Sequence, residues 1–230
     1  MTGAAMVDHV RLERTVQALI GPHAAVACRS ITDGDPAELP PAELEAVRRA
    51  VTQRQQEFAA GRWAARDAMR RLGHPALAVP ANADRSPCWP AGLVGSISHC
   101  RSTCLAVLAR SDECASVGVD VEPDRGLPED LWSTICTPEE LRQLADMPEP
   151  MRSRWVTRVF SAKEAYYKWV YPRIRTLLDF QDVTIELSCT LEDGGFLAKP
   201  LQPLAHEATP AGLRGSILAS QGLVVSLMIH

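Results

Sequence analysis

Residues 118–123 read GVDVEP, two acids spaced by two in a stretch otherwise built like a buried strand. Side chains in a strand alternate between faces, so Asp120 and Glu122 point one way and Val119 and Val121 the other. Two carboxylates that close repel, and both pKa values rise unless a positive charge sits between them. Two readings follow. Either the pair is the solvated face of an edge strand, as charged residues usually are, or it is a set of hard oxygen ligands for a cation such as magnesium. The strand stands on both readings, and its neighbours decide the fold. Upstream, AAVACRS (24–30), LVGSISHC (93–100) and TCLAVLAR (103–110) are strand candidates. Downstream, DVTIELS, GGFLAKP and the pair RGSILAS and LVVSLMIH around Gln221-Gly222 alternate with turns.

Two long helical patterns separate these strands. The first follows the Pro-rich start signals of DGDPAELPPAEL, runs through QRQQEFAAGRWAARDAMRRLG and stops at Gly73 before His74-Pro75. At 100° per residue Phe58, Ala65, Met69 and Leu72 share one stripe, read as core. Arg62, Arg66 and Arg70 march along its border at i, i+4, i+8. No acid stands four residues from Arg62 or Arg66, which leaves them for an anion. The second pattern spans 152–170, RSRWVTRVFSAKEAYYKWV, closed by Tyr171-Pro172, with a shorter helix, PEELRQLADM, before it. Each half of the chain is thus a long helix with short strands, and the seam falls just before VGVDVEP. Residues 75–92 read as a long surface loop.

Bulk properties exclude several classes. The 230 residues are 46% hydrophobic and 23% charged, ordinary for a globular chain. A net charge of −4 and pI near 5.9 argue against a nucleic-acid footprint. No apolar run approaches the roughly 18 residues that span a bilayer, so no membrane is expected. MTGAAMVDHVRLER lacks a signal peptide's apolar stretch, which points to the cytoplasm. Seven cysteines without paired CxxC spacing read as reduced thiols, and Cys100 and Cys104 beside His99 lack a fourth zinc ligand.

Chemistry concentrates in FSAKEAYYKW. Glu164 and Lys168 are four apart on one helix face, with Lys163 about 100° round. The plain reading is a helix Glu–Lys pair worth roughly 0.2–0.5 kcal/mol; the other is that Glu164 completes the carboxylate set of Asp120 and Glu122, with lysines turned to phosphates. In GSISH, Ser98 and His99 suggest nucleophilic catalysis, but adjacent strand residues face opposite ways and no GxSxG is present. Neither GxGxxG nor a Walker loop occurs.

Taken in order, GRWAARDAMRRLG, WPAGLVGSISH, VGVDVEP and FSAKEAYYK resemble the 4′-phosphopantetheinyl transferase superfamily over roughly residues 55–172. The surfactin-type, monomeric two-lobed group fits the length, and the first two segments look most like the enterobactin synthase component D branch. The resemblance implies an α+β fold, a pseudo-dimer of two similar lobes (1–116 and 117–230), each a long helix packed on a small antiparallel sheet. It implies transfer of 4′-phosphopantetheine from coenzyme A to a serine of an apo acyl or peptidyl carrier protein. Adenosine 3′,5′-bisphosphate leaves, and the activated carriers serve polyketide, nonribosomal peptide or fatty acid synthases. By the same resemblance Asp120, Glu122 and Glu164 bind Mg2+, with Mn2+ as a substitute. Glu164 is the candidate base and Lys168 acts beside the reacting phosphate. Arg62, Arg66, Arg85, Ser98, His99, Lys163 and Lys168 hold coenzyme A. A binding module without catalysis and a serine hydrolase remain as other classes. Leu131, Trp132, Trp155, Arg152, Arg154 and Arg158 are candidates for carrier recognition, with core packing the plain reading of each tryptophan.

Overall fold

A computed structural model describes residues 7–188, 191, 193–202 and 212–230. The chain is α+β and divides into two compact units, residues 1–117 with His230, and residues 118–229. Cys189 lies outside the described residues; the six other cysteines are free thiols.

The first unit contains α1 (His9–Ile20), β1 (Ala24–Ser30), α2 (Pro41–Leu44), α3 (Thr52–Arg71), β2 (Leu93–His99) and β3 (Thr103–Arg110). The sheet order is β1-β3-β2, antiparallel throughout, with Val26 opposite Val107 and Ile97 opposite Ala106. Ala64, Ala65, Ala68 and Met69 of α3 pack on Ala25, Ala27, Ala106 and Leu108. Small side chains on both surfaces let helix and sheet approach closely. Phe58, Ala65 and Met69 are buried as their spacing requires, and Leu72 packs at the edge of this core.

Two departures from the sequence reading have clear causes. The helical pattern of 41–72 is interrupted: α2 ends at Leu44 and α3 starts at Thr52. Buried Glu43 binds Arg66, and in one continuous helix those residues would stand about 35 Å apart. The contact requires the break. Helix α1 was not foreseen. Only Leu12 and Val16 are buried on it, a stripe too narrow to stand out, although Asp8 caps it by accepting from the Arg11 N–H.

The second unit contains β4 (Val117–Pro123), α4 (Trp132–Ile135), α5 (Pro138–Ala145), α6 (Glu149–Ile174), β5 (Val183–Leu187), β6 (Gly194–Pro200), β7 (Leu213–Ser220) and β8 (Leu223–Ile229). Its five-stranded sheet runs β4-β8-β7-β6-β5, with antiparallel pairing from β5 to β8. Gln221 and Gly222 both take positive φ, 54° and 76°, the two-residue turn that matches the twist of a hairpin. Trp155, Val159, Ala162, Tyr166 and Trp169 of α6 pack on Ile185, Phe196, Ile217, Val224 and Met228. Each such burial contributes about 1.5–3 kcal/mol. Helix α6 runs one turn past its expected end, through Pro172, and stops where Arg175 turns left-handed at φ 52°. A proline this close to the terminus costs one backbone bond and leaves the helix otherwise whole.

Candidate active site

Strand β4 and helix α6 build the site from a single close approach. A Cβ placed on Gly118 would lie 2.0 Å from the Ala165 carbonyl oxygen and 2.8 Å from Trp169. Only a glycine allows the two backbones this near. Gly118, Asp120 and Glu122 share a strand face, so the face that touches α6 is the face that carries the acids. Asp120 is 2% exposed. Lys168 of α6 donates to its Oδ1 at 2.7 Å, and the same ammonium lies 3.9 Å from Glu164 Oε2. The positive charge that the acid pair needs is therefore present, supplied by the helix. The reading of a solvated acidic face does not hold for Asp120, even though β4 is an edge strand.

One lysine does not neutralise three acids. Burial pushes Glu122 up to about 7; Asp120 and Glu164 add to the shift, and Lys168 and Arg125 oppose it. Burial also raises Glu164, with Asp120 adding and Lys168 opposing. The cluster holds more negative charge than its cations match, from carboxylate donors alone, which is the chemistry of a hard-cation site. Among the described residues, however, no three His, Cys, Asp or Glu side chains stand close enough to form an assembled metal centre. Beside Glu164 lies a cavity of about 100 Å³ lined by Tyr166, Tyr167, Leu178, Phe180 and Val183, together with Asp179 and Lys163.

The end of β4 is tied down beyond the acids. Asp124 accepts from Arg158 at 2.9 Å and from Arg154 at 2.5 Å. Burial favours the protonated Asp124, but these two hydrogen bonds outweigh it and hold the carboxyl below its ordinary range. Arg158 is 1% exposed and Trp155 2%, so neither presents a surface to a carrier. Arg152 caps the end of α5 on the Ala145 and Met147 carbonyls, and Trp132 donates to Leu127. Of that set, Leu131 is exposed and Arg154 partly so.

Lys163, expected to clamp phosphate, is held by the protein's own groups. Its ammonium donates to the carbonyls of Ile135 (2.8 Å) and Phe180 (2.7 Å) and to Glu140 (2.7 Å). Those three bonds use all its donors, and it is 1% exposed. Burial lowers its pKa, with Glu140 opposing. Glu140 in turn accepts from the backbone of Thr137 and Ile185. The pair knits α5 and β5 to α6 one residue before Glu164.

In the first unit, the expected phosphate ligands divide. His99, the last residue of β2, has its Nε2 2.7 Å from the Arg54 guanidinium and 3.7 Å from Glu57. Ser98 is buried on the opposite face, so the two do not form a nucleophile and base. Arg62 is 5% exposed; its Nε donates to the Val79 carbonyl at 2.7 Å, it lies over the Phe58 ring, and burial lowers it to about 10. Arg66 donates to both oxygens of Glu43, which also accepts from the Val79 N–H. Both arginines thus work on the backbone of Val79, directly or through Glu43, and the acid that seemed missing comes from 23 residues upstream. Arg85 sits exposed at a loop tip with φ 68°. Arg54 was missed, though a signal existed: it stands eight residues before Arg62 on the same helical row.

The site thus offers carboxylate oxygens from Asp120, Glu122 and Glu164 and the ammonium of Lys168. Comparison with known proteins supplies the class. The profile described as the 4′-phosphopantetheinyl transferase N-terminal domain matches residues 42–109, and that of the 4′-phosphopantetheinyl transferase superfamily matches 116–207. The transferase PptT of Mycobacterium tuberculosis is 36% identical over 203 residues, covering 85% of this chain and 88% of that protein. Svp of Streptomyces mobaraensis is 36% identical over 211 residues, covering 89% and 85%. Enterobactin synthase component D of Salmonella typhi is 40% identical over 144 residues, covering 60% and 57%. A two-lobed α+β transferase is therefore what the fold and these matches define. The chain belongs to the 4′-phosphopantetheinyl transferase superfamily.

Proposed function

We propose that this enzyme moves 4′-phosphopantetheine from coenzyme A to a serine of apo acyl or peptidyl carrier proteins, and that Asp120, Glu122 and Glu164 bind the magnesium it needs. The observation that carries the reading is the approach of β4 to α6 at Gly118, which sets the acid pair beside Glu164 and Lys168. A magnesium ion held there would neutralise charge developing on the pyrophosphate of coenzyme A. Lys168, a quarter exposed, donates to a phosphate oxygen. Glu164 takes the proton of the carrier serine, burial raising its pKa and so its strength as a base. The serine oxygen bonds to the β-phosphorus as the pyrophosphate P–O bond breaks, and adenosine 3′,5′-bisphosphate departs. The cavity beside Glu164 offers the apolar walls of Leu178, Phe180 and Val183 to part of the pantetheine arm.

Within the first unit, His99 and Arg54 form a phosphate contact of their own, with Ser98 placing His99 on its strand and Arg85 adding charge from its loop. Arg62 and Arg66 enter as anchors of Val79, and Lys163 as the fixed point beneath Glu164. Both matched segments lie on one chain, which supports a monomer; no described helix is long and apolar enough to cross a membrane. Incubation with coenzyme A, magnesium and a panel of apo carriers, read by intact mass, tests the proposal. A carrier should gain one phosphopantetheine, and only with the metal. No gain on any acyl or peptidyl carrier sinks it.

A further inference from the structure

A second polar cavity lies wholly within the first unit, on the C-terminal half of α3. It measures about 240 Å³ and is lined by Arg29, Glu38, Trp63, Arg66, Asp67 and Arg70. Arg54 stands 12 to 16 residues back along the helix from Arg66 and Arg70, about 18–24 Å. The transfer reaction proposed above makes no use of this cavity.

Its three guanidinium groups are held in place by acids, Arg66 by Glu43 and the other two by Asp67, which itself lines the cavity. Glu43, fully buried, takes the NH1 of Arg66 with both oxygens, at 2.7 and 2.8 Å. Asp67 takes Nε and NH2 of Arg29 on one oxygen and NH1 of Arg70 on the other. Each arginine spends part of its fork on these acids and keeps donors over: NH1 of Arg29, Nε and NH2 of Arg66, and Nε and NH2 of Arg70 have no protein partner among the described residues. A guanidinium carries five N–H donors in a planar fork suited to tetrahedral oxyanions. Oriented by acids and converging on one cavity, such groups form a preorganised oxyanion cradle. Trp63, half-buried in the wall, adds a flat apolar surface. Two acids line the cavity and oppose an anion: Asp67, whose charge Arg29 and Arg70 take up, and Glu38, which has no ion pair to the arginines.

We propose that this cavity binds a phosphoryl anion, either free phosphate or the phosphate of a nucleotide whose base lies on Trp63. The site is separate from the one that holds coenzyme A, and the proposal stands or falls independently of the transferase reading.

Calorimetry with inorganic phosphate and with adenosine monophosphate tests it on the intact protein. Arg70→Gln and Arg29→Gln should each weaken phosphate at least about tenfold, the effect of one lost charge-assisted hydrogen bond. Glu38→Gln should tighten it. Arg54→Gln should leave a phosphate site intact, and saturating coenzyme A should not displace phosphate from it. Should Arg29→Gln fail to fold, Arg70→Gln decides, because that side chain is 62% exposed. Tighter binding of the nucleotide than of phosphate, lost in Trp63→Leu, identifies a nucleotide; equal affinities identify free phosphate, and both outcomes uphold the site. Phosphate affinity unchanged in Arg70→Gln, lost in Arg54→Gln alone, or abolished by coenzyme A overturns it.

Discussion

Lys168 bridges Asp120 and Glu164 in the protein alone, at 2.7 and 3.9 Å, and a phosphate would compete for the same ammonium. On the proposed function, the three acids would gain most when a cation and a phosphate arrive together, one for the carboxylates and one for the lysine. Asp120→Asn keeps the shape of the buried side chain and its bond to Lys168 while removing a charge. Transfer should be lost in this variant with circular dichroism unchanged, and full activity at saturating magnesium would remove Asp120 from the ligand set. Glu164 has two proposed roles that one substitution separates. Glu164→Gln keeps an oxygen ligand but cannot take a proton. Coenzyme A with magnesium should bind it at near-normal affinity while turnover falls at least about a hundredfold, the lower end of a positioned base. Turnover restored by a magnesium series would leave Glu164 as a ligand only.

At the scale of elements, the site depends on how β4 and α6 are held. Gly118→Ala inserts a methyl 2.0 Å from the Ala165 carbonyl, so strand or helix must move. A loss of about 1–3 kcal/mol of stability is expected, the usual range for overpacking, with a fall in transfer larger than the loss of folded protein explains. Urea unfolding beside a kinetic assay gives both, and unchanged kcat would mean that the acids tolerate a shifted strand. The Lys163–Glu140 pair fixes the other side of α6. Lys163→Met leaves a buried carboxylate uncompensated and should cost about 3–5 kcal/mol. Adding Glu140→Gln should recover part of that, measured as a double-mutant cycle. No recovery would mean that the lysine acts outside the pair. Helix α3 shows the same economy, since Arg62 and the Arg66–Glu43 pair fasten one residue of the long loop, Val79.

For the molecule as a whole, each unit buries an apolar core to which Asp120, Glu122 and Glu164 do not belong. Chelation with EDTA should therefore abolish transfer while leaving the thermal transition in place; unfolding on chelation would make the metal structural. Much of this organisation was legible beforehand. All eight strands among the described residues were foreseen, because period-two patterning and Gly or Pro punctuation are local properties, and the GVDVEP acids and the KEAYYK helix could be paired by their order in the chain. What stayed hidden was partnership across distance. Glu43 and Arg66 are 23 residues apart and Lys163 and Glu140 also 23, and helical spacing sees only neighbours three and four away. Lys163 accordingly looked available to a ligand, whereas the fold gives all its donors, the Nε of Arg62 and the NH1 of Arg66 to partners distant in sequence. The sequence by itself determined which residue types lie on which face of each strand and helix. Only the tertiary structure decided which charges meet, because a buried ion takes whatever partner the packing brings within hydrogen-bond distance, and that choice is made between elements rather than within them.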